Sequence, residues 1–161
     1  MKNIEKQLIE FLTKTKREGY ADSLVKKIKE KDKSKTIKTK YGNWECHDNY
    51  FGGEPYGGRE VVFYKKKPIY IIVYYGFVDK SVKDFKKVYG FLKEALWAKK
   101  DDNIIRRGPK KYINGNFTYL NNFKGKIQNF SGVEIIKLNG KQIYKAIYAG
   151  GLVDQRKELK D

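Results

Sequence analysis

The sequence predicts an α+β fold: an internally duplicated βββ-α-βββ antiparallel sheet with one long central helix and N-terminal helices. Three observations predict it. Residues 36–78 and 112–153 are rich in β-branched and aromatic side chains and are punctuated by turn residues. Between them, apolar residues recur at steps of three and four, the period of a helix with one buried face. The two β stretches also match each other along their length. A chain of 161 residues is long enough for one real core, so residues 1–161 are read as a single domain.

The elements follow in order. Residues 3–14 read as a helix, because Ile4, Leu8, Phe11 and Leu12 share one face and Asn3 can cap it. A short helix is expected over 21–29, from Leu24, Val25 and Ile28, and these N-terminal helices occupy 1–35. Residues 26–40 carry eight Lys against Glu30 and Asp32 and read as a solvated helix end and linker. Repeat one, 36–78, holds three strand-like runs, 36–51, 59–64 and 69–78, with a hairpin turn at 65–68. The central helix, 81–99, has Ser81 as its expected N-cap, with Asp84 three residues on. Its buried stripe is Val82, Phe85, Val88, Tyr89, Leu92, Ala95 and Leu96. Residues 101–111 form a loop, and repeat two spans 112–153. Within it Asn139-Gly140 sits between two apolar runs, the pattern of a two-residue type I′ hairpin turn. A charged tail, 154–161, closes the chain.

The duplication rests on matched residues. Gly42-Asn43-Trp44 corresponds to Gly115-Asn116-Phe117 at an offset of 73. At an offset of 74, Glu60-Val61-Val62 corresponds to Glu134-Ile135-Ile136, and Val73, Tyr74 and Gly76 to Ile147, Tyr148 and Gly150. Counting back from the Asn139-Gly140 turn pairs Ile136 with Ile143, Ile135 with Tyr144 and Glu134 with Lys145. Ile135, Tyr144, Ala146 and Tyr148 then share a face, matched by Val61, Phe63, Tyr70, Ile72 and Tyr74 in the first half. Tyr70, Tyr74, Tyr144 and Tyr148 therefore recur on one surface, as core or as the lining of a cleft.

Composition bounds the function. No apolar run approaches a membrane span, and the N-terminus lacks a continuous apolar segment of the secretory kind, so a cytoplasmic protein is expected. The net charge is +17, and Arg supplies only five of the 36 basic residues. Such a field draws polyanions at low salt. Cys46 is the only cysteine and His47 the only histidine. On a strand these neighbours point to opposite faces, so neither a metal site nor a Cys-His nucleophile is expected, and no cofactor is implied.

The Gly-rich string 52–58 is the most unusual local sequence. It does not match a P-loop, since no Gly-Lys-Ser/Thr follows. Asp48, Tyr50, Glu54 and Arg59 flank it, the polar groups that a small binding site beside a permissive loop requires. Glu60 and Glu134 occupy matched positions and form a candidate acid/base pair. Arg107, in the basic loop Arg106-Arg107-Gly108-Pro109, reads either as an anion holder or as a cap on the end of the central helix. The candidate binding residues are thus Asp48, Tyr50, Glu54, Arg59, Glu60, Tyr70, Tyr74, Arg107, Glu134, Tyr144 and Tyr148.

Phe11-Leu12 through Tyr20-Ala21, Trp44 through Gly58, Glu60-Val61-Val62, Lys67-Pro68, Tyr74-Tyr75-Gly76, Phe91 through Leu96 and Arg107-Gly108-Pro109 together resemble an uncharacterised bacterial and archaeal family, a domain of unknown function. It occurs alone or fused to helix-turn-helix regulators of the xenobiotic-response type. The resemblance covers roughly residues 8 to 152. It implies a sensor or interaction domain and assigns no catalytic residue. The resulting expectation is a non-catalytic domain binding a small molecule or protein partner, as monomer or homodimer and away from membranes. Two alternatives stand: a nucleic-acid binder using its basic surface, and an enzyme built on Glu60 and Glu134.

Overall fold

The structure is a computed structural model that describes residues 2–21, 27–98 and 107–154. Helix α1 spans Lys2–Ala21 and α2 spans Phe85–Trp97. The strands are β1 (Ile28–Lys29), β2 (Lys35–Tyr41), β3 (Trp44–Gly52), β4 (Tyr56–Tyr64), β5 (Lys67–Val78), β6 (Lys111–Asn114), β7 (Phe117–Lys126), β8 (Asn129–Leu138) and β9 (Lys141–Leu152). All nine form one antiparallel sheet in the order β1-β2-β3-β4-β5-β9-β8-β7-β6.

This overturns the predicted α+β, βββ-α-βββ arrangement. The chain is mostly one nine-stranded sheet, and no long central helix runs across it. The helix between the two strand groups has only 13 residues. Its N-cap is Asp84 rather than Ser81: the Asp84 side chain accepts the Lys87 amide, while Ser81 bonds Asp79 in the preceding turn. The predicted helix end at 99 and most of the 101–111 loop lie outside the described residues, as do residues 22–26 and 155–161. Ile28–Lys29 is strand, so the expected helix over 21–29 does not extend to its end. Lys35, Lys38 and Lys40 belong to β2, not to a linker.

Two physical features account for the additional strands. Gly42, at φ +56°, turns the run 36–51 into the hairpin β2–β3, and Gly115, also at φ +56°, does the same for β6–β7. Gly at the first central position of a two-residue turn is a hairpin signature. Helix α1 continues past its apolar stripe through Lys14, Lys16, Arg17 and Glu18, all good helix formers, and Gly19 falls only in its last turn.

The register departs from the count made from the turn. Asn139-Gly140 has positive φ at both residues, as a type I′ turn requires. A bulge at Ile136/Lys137 then shifts the ladder by one residue. Ile136 pairs with Tyr144, Ile135 with Lys145 and Glu134 with Ala146. The same irregularity falls at Val62/Phe63. An extra residue reverses side-chain facing beyond it, so Ile135, Val61 and Phe63 point away from the tyrosines instead of with them.

Both helices cover one face of the sheet. Leu8, Phe11 and Leu12 of α1 pack with Cys46, Val62, Tyr70, Ile72, Phe130 and Tyr148. Val88, Phe91, Leu92, Ala95 and Leu96 of α2 pack with Tyr119, Ile136, Ile143, Tyr144 and Ala146. Each buried large side chain contributes about 1.5–3 kcal/mol. Between these two apolar clusters the covered face turns polar. Among the described residues, no helix is long and apolar enough to cross a membrane.

Candidate functional site

The polar region is built on glycines that let tyrosines lie flat. Tyr74 on β5 is paired with Gly58 on β4 and with Tyr148 on β9. A Cβ on Gly58 would stand 2.7 Å from the Tyr74 hydroxyl. With no side chain there, Tyr74 spans β4 and donates a hydrogen bond of 2.5 Å to Asp48 Oδ1 on β3. Tyr148 lies over Gly132 of β8 in the same way and donates to Asn121 Oδ1 on β7 at 2.8 Å. Flat aromatic rings over cross-strand glycines restore the packing that glycine removes from a strand.

Arg107 sits where the two tyrosines meet. Its guanidinium carbon lies 5.2 Å from the Tyr74 ring centroid and 6.0 Å from that of Tyr148. Its backbone N–H donates to the Tyr148 hydroxyl. One guanidinium nitrogen lies 3.4 Å from Glu134 Oε2, and the two side chains are 12% and 0% exposed. Glu134 Oε1 accepts from Tyr119 at 2.6 Å, and Asn121 Nδ2 donates to Tyr119 at 3.0 Å. A buried ion pair is seldom more stable than an apolar one of equal volume, so it is weak as a device for stability alone.

The electrostatics follow from this burial. Desolvation raises the Asp48 carboxyl above its usual range, against the opposing pull of the Tyr74 hydrogen bond and of Arg107. Burial, then the Glu134 charge, pushes Tyr148 up to about 12. Tyr119 and Tyr144 are raised for the same two reasons, and Tyr70 chiefly by burial. Asp48 lies directly opposite Glu60 across β3–β4, so two carboxyls share one patch of the covered face.

The Gly-rich string is a hairpin connection with a cis Glu54–Pro55 bond. Glu54 reaches out of it to accept the Val78 amide at 2.8 Å and the Tyr89 hydroxyl of α2. Tyr56 bonds Tyr144 at 2.7 Å. The loop is thereby tied to the end of β5 and to α2.

The predicted residues divide into groups. Asp48, Glu60, Tyr74, Arg107, Glu134 and Tyr148 share the covered face, with Tyr50 beside Gly58. Tyr70 and Tyr144 are core, each 1% exposed. Glu54 anchors a loop. Arg59 faces the opposite side of the sheet, because it adjoins Glu60 on a strand. Glu60 and Glu134 do not meet: β5 and β9 lie between their strands, and Glu60 is level with Gly150 while Glu134 is level with Ala146. Three strand spacings and four residues of rise separate them by about 19 Å, beyond the roughly 10 Å reach of paired catalytic carboxylates. Tyr119, Asn121 and Tyr56 were not anticipated. Asn121 had a signal, since it stands 73 residues after Asp48. Cys46 is buried on the covered face, and His47 lies on the other, 2.5 Å from Glu45. Among the described residues, no group of His, Cys, Asp or Glu is placed to hold a metal.

Comparison with known proteins gives one match. No curated protein and no solved structure matches the chain. The profile of a family described as a domain of unknown function, DUF5680, matches residues 48–153, from Asp48 at the polar region to the residue after β9. That span contains Tyr74, Arg107, Glu134 and Tyr148, and the chain belongs to this family.

Proposed function

We propose that the chain is a non-catalytic sensor or interaction domain that binds a small polar molecule against Asp48, Glu60 and Tyr74. The carrying observation is the hydrogen-bonded Tyr74–Asp48 pair, set beside Glu60 between two apolar clusters. Apolar residues there would complete the core more cheaply than carboxyls and a guanidinium. Arg107, fixed by Glu134 and two tyrosine rings, positions the Tyr74 hydroxyl. Two carboxyls and tyrosine hydroxyls suit a ligand that donates hydrogen bonds or carries positive charge. The sequence resemblance to domains joined to helix-turn-helix regulators in bacteria and archaea supports a sensing role in the cytoplasm.

Native mass spectrometry of protein purified through high salt tests this reading. The wild-type chain is expected to carry a small mass that denaturation releases. Asp48→Ala is expected to keep its circular dichroism spectrum and emerge bare. A bare wild-type chain, or an Asp48→Ala chain that fails to fold, overturns the assignment.

A further inference from the structure

The other face of the sheet carries a different surface. Val73 pairs with Ala149, Tyr75 with Ile147 and Phe77 with Lys145, all directed away from the helices. Val73, Tyr75, Phe77 and Ile147 are 40–51% exposed, and Phe51, two strands away, is 49% exposed. A row of this kind marks a surface that meets something.

Charge sorts by face. Of the carboxylates carried on strands, Asp48, Glu60 and Glu134 point to the covered side. Glu45 alone points to the open side, where His47 lies against it. The open side also takes Lys38 and Lys40 of β2, Arg59 of β4, Lys137 of β8 and Lys145 of β9. Rings and cations are interleaved there: Phe77 faces Lys145, His47 faces Lys38, and Arg59 faces Val73 two residues from Tyr75.

We propose that this open face binds single-stranded nucleic acid, its aromatic rings stacking on bases and its cations holding the phosphates. That combination is how unpaired strands are bound without sequence readout. A second copy of the chain laid face to face would set lysines against lysines. A duplex fits poorly too, because the mosaic runs from β2 to β8. Those five strand spacings are about 24 Å, against a major groove of roughly 12 Å. This surface shares no residue with the Asp48 region, so either reading can fail without the other.

Fluorescence anisotropy with a labelled oligo-dT, alone and annealed to oligo-dA, over a salt series tests the proposal. The single strand is expected to bind more tightly than the duplex and to weaken steeply with salt. Tyr75→Leu with Phe77→Leu keeps apolar cover over Gly57 but removes the rings. It is expected to weaken binding at least about fivefold with the salt slope unchanged. Arg59→Gln and Lys145→Gln are each expected to reduce the slope by about 0.7. Lys86→Gln with Lys93→Gln, the same charge change on exposed positions of α2, is expected to leave most of the affinity. The proposal is overturned if the ring variant binds like wild type, if the α2 variant loses as much as Arg59→Gln with Lys145→Gln, or if the duplex binds equally well. It is also overturned if the face instead mediates a dimer or binds only anionic vesicles. Should the ring variant not fold, the two charge pairs decide the matter on their own.

Discussion

Replacing Gly132 by Ala should damage the fold far more than one methyl group suggests. Gly132 is buried on β8, paired with Tyr148 on β9 and Phe123 on β7. An added Cβ would fall within the volume of the Tyr148 ring, against Cζ, Cε1 and Oη. The ring is 3% exposed and packed beneath Arg107 and beside Phe130, so it has no free direction in which to move. Overpacking of this kind costs about 1–3 kcal/mol. Moving the ring also breaks the Tyr148–Asn121 hydrogen bond, and stranding buried polar atoms costs about 1–3 kcal/mol more. The sum of about 2–6 kcal/mol corresponds to a Tm lowered by roughly 5–20 °C in a domain of this size. Urea denaturation followed by tryptophan fluorescence, with calorimetry, measures both quantities. Adding Tyr148→Leu to Gly132→Ala should recover the part due to the clash. A Gly132→Ala chain within about 1 kcal/mol of wild type would refute the argument that these glycines exist to seat the rings.

Other outcomes follow from the same structure. Gly90→Ala, on an exposed helical position with nothing within 4 Å of the new Cβ, should stabilise by about 0.5–1 kcal/mol in the same urea assay. Lys65 and Lys66 hold φ of 48° and 68° in the β4–β5 turn, so Lys65→Asn with Lys66→Gly should gain about 1 kcal/mol by removing left-handed strain. Arg107→Met leaves Glu134 buried and without its cation, and should cost about 3–5 kcal/mol, most of which Glu134→Leu restores in the double variant. Burial raises Asp48 in the folded chain, so the folded state binds its proton more tightly than the unfolded state does. Stability from this group is therefore present below the ordinary carboxyl value near ~3.9 and is lost as pH rises through the raised value. Asp48→Asn should match wild type at low pH and gain on it across that window, and a difference constant with pH would refute this assignment.

Much of the sheet was legible because backbone chemistry announces itself locally. Asn139-Gly140 marks its hairpin through the positive φ that both residues tolerate. Gly42-Asn43 was passed over because it lies inside a run rich in β-branched and aromatic residues; on one continuous strand Tyr41 and Trp44 would point to opposite faces, and the turn instead pairs them on the same one. The bulges at Val62/Phe63 and Ile136/Lys137 leave no mark in composition, and they alone reversed the facing of Val61, Phe63 and Ile135. The site residues could be picked by type, but their common face could not be read by counting. The count from the turn set Glu134 opposite Lys145, away from Tyr148, and set Val61 rather than Glu60 with the tyrosines. Only the bulged register brings Asp48, Glu60, Tyr74, Glu134 and Tyr148 to one face, and alternation then puts Arg59, next to Glu60, on the other. Glu60 and Glu134 fail as a pair for a non-local reason, because no pattern within either half reveals that β5 and β9 come between them.

The β5–β9 pairing sets the order in which such a chain can assemble. Every other described strand pair joins neighbours in sequence and can zip from its own turn. Only β5 and β9 must find each other across α2 and three strands, so this one seam accounts for most of the topological separation that slows folding. Until it closes, each meander presents a twelve-residue unpaired edge, and the edge that completes it is identical on every other copy of the chain. Dilution should therefore favour the monomer during refolding, while crowded refolding should yield dimers in which β5 of one chain has paired with β9 of another, each half native and only the suture exchanged.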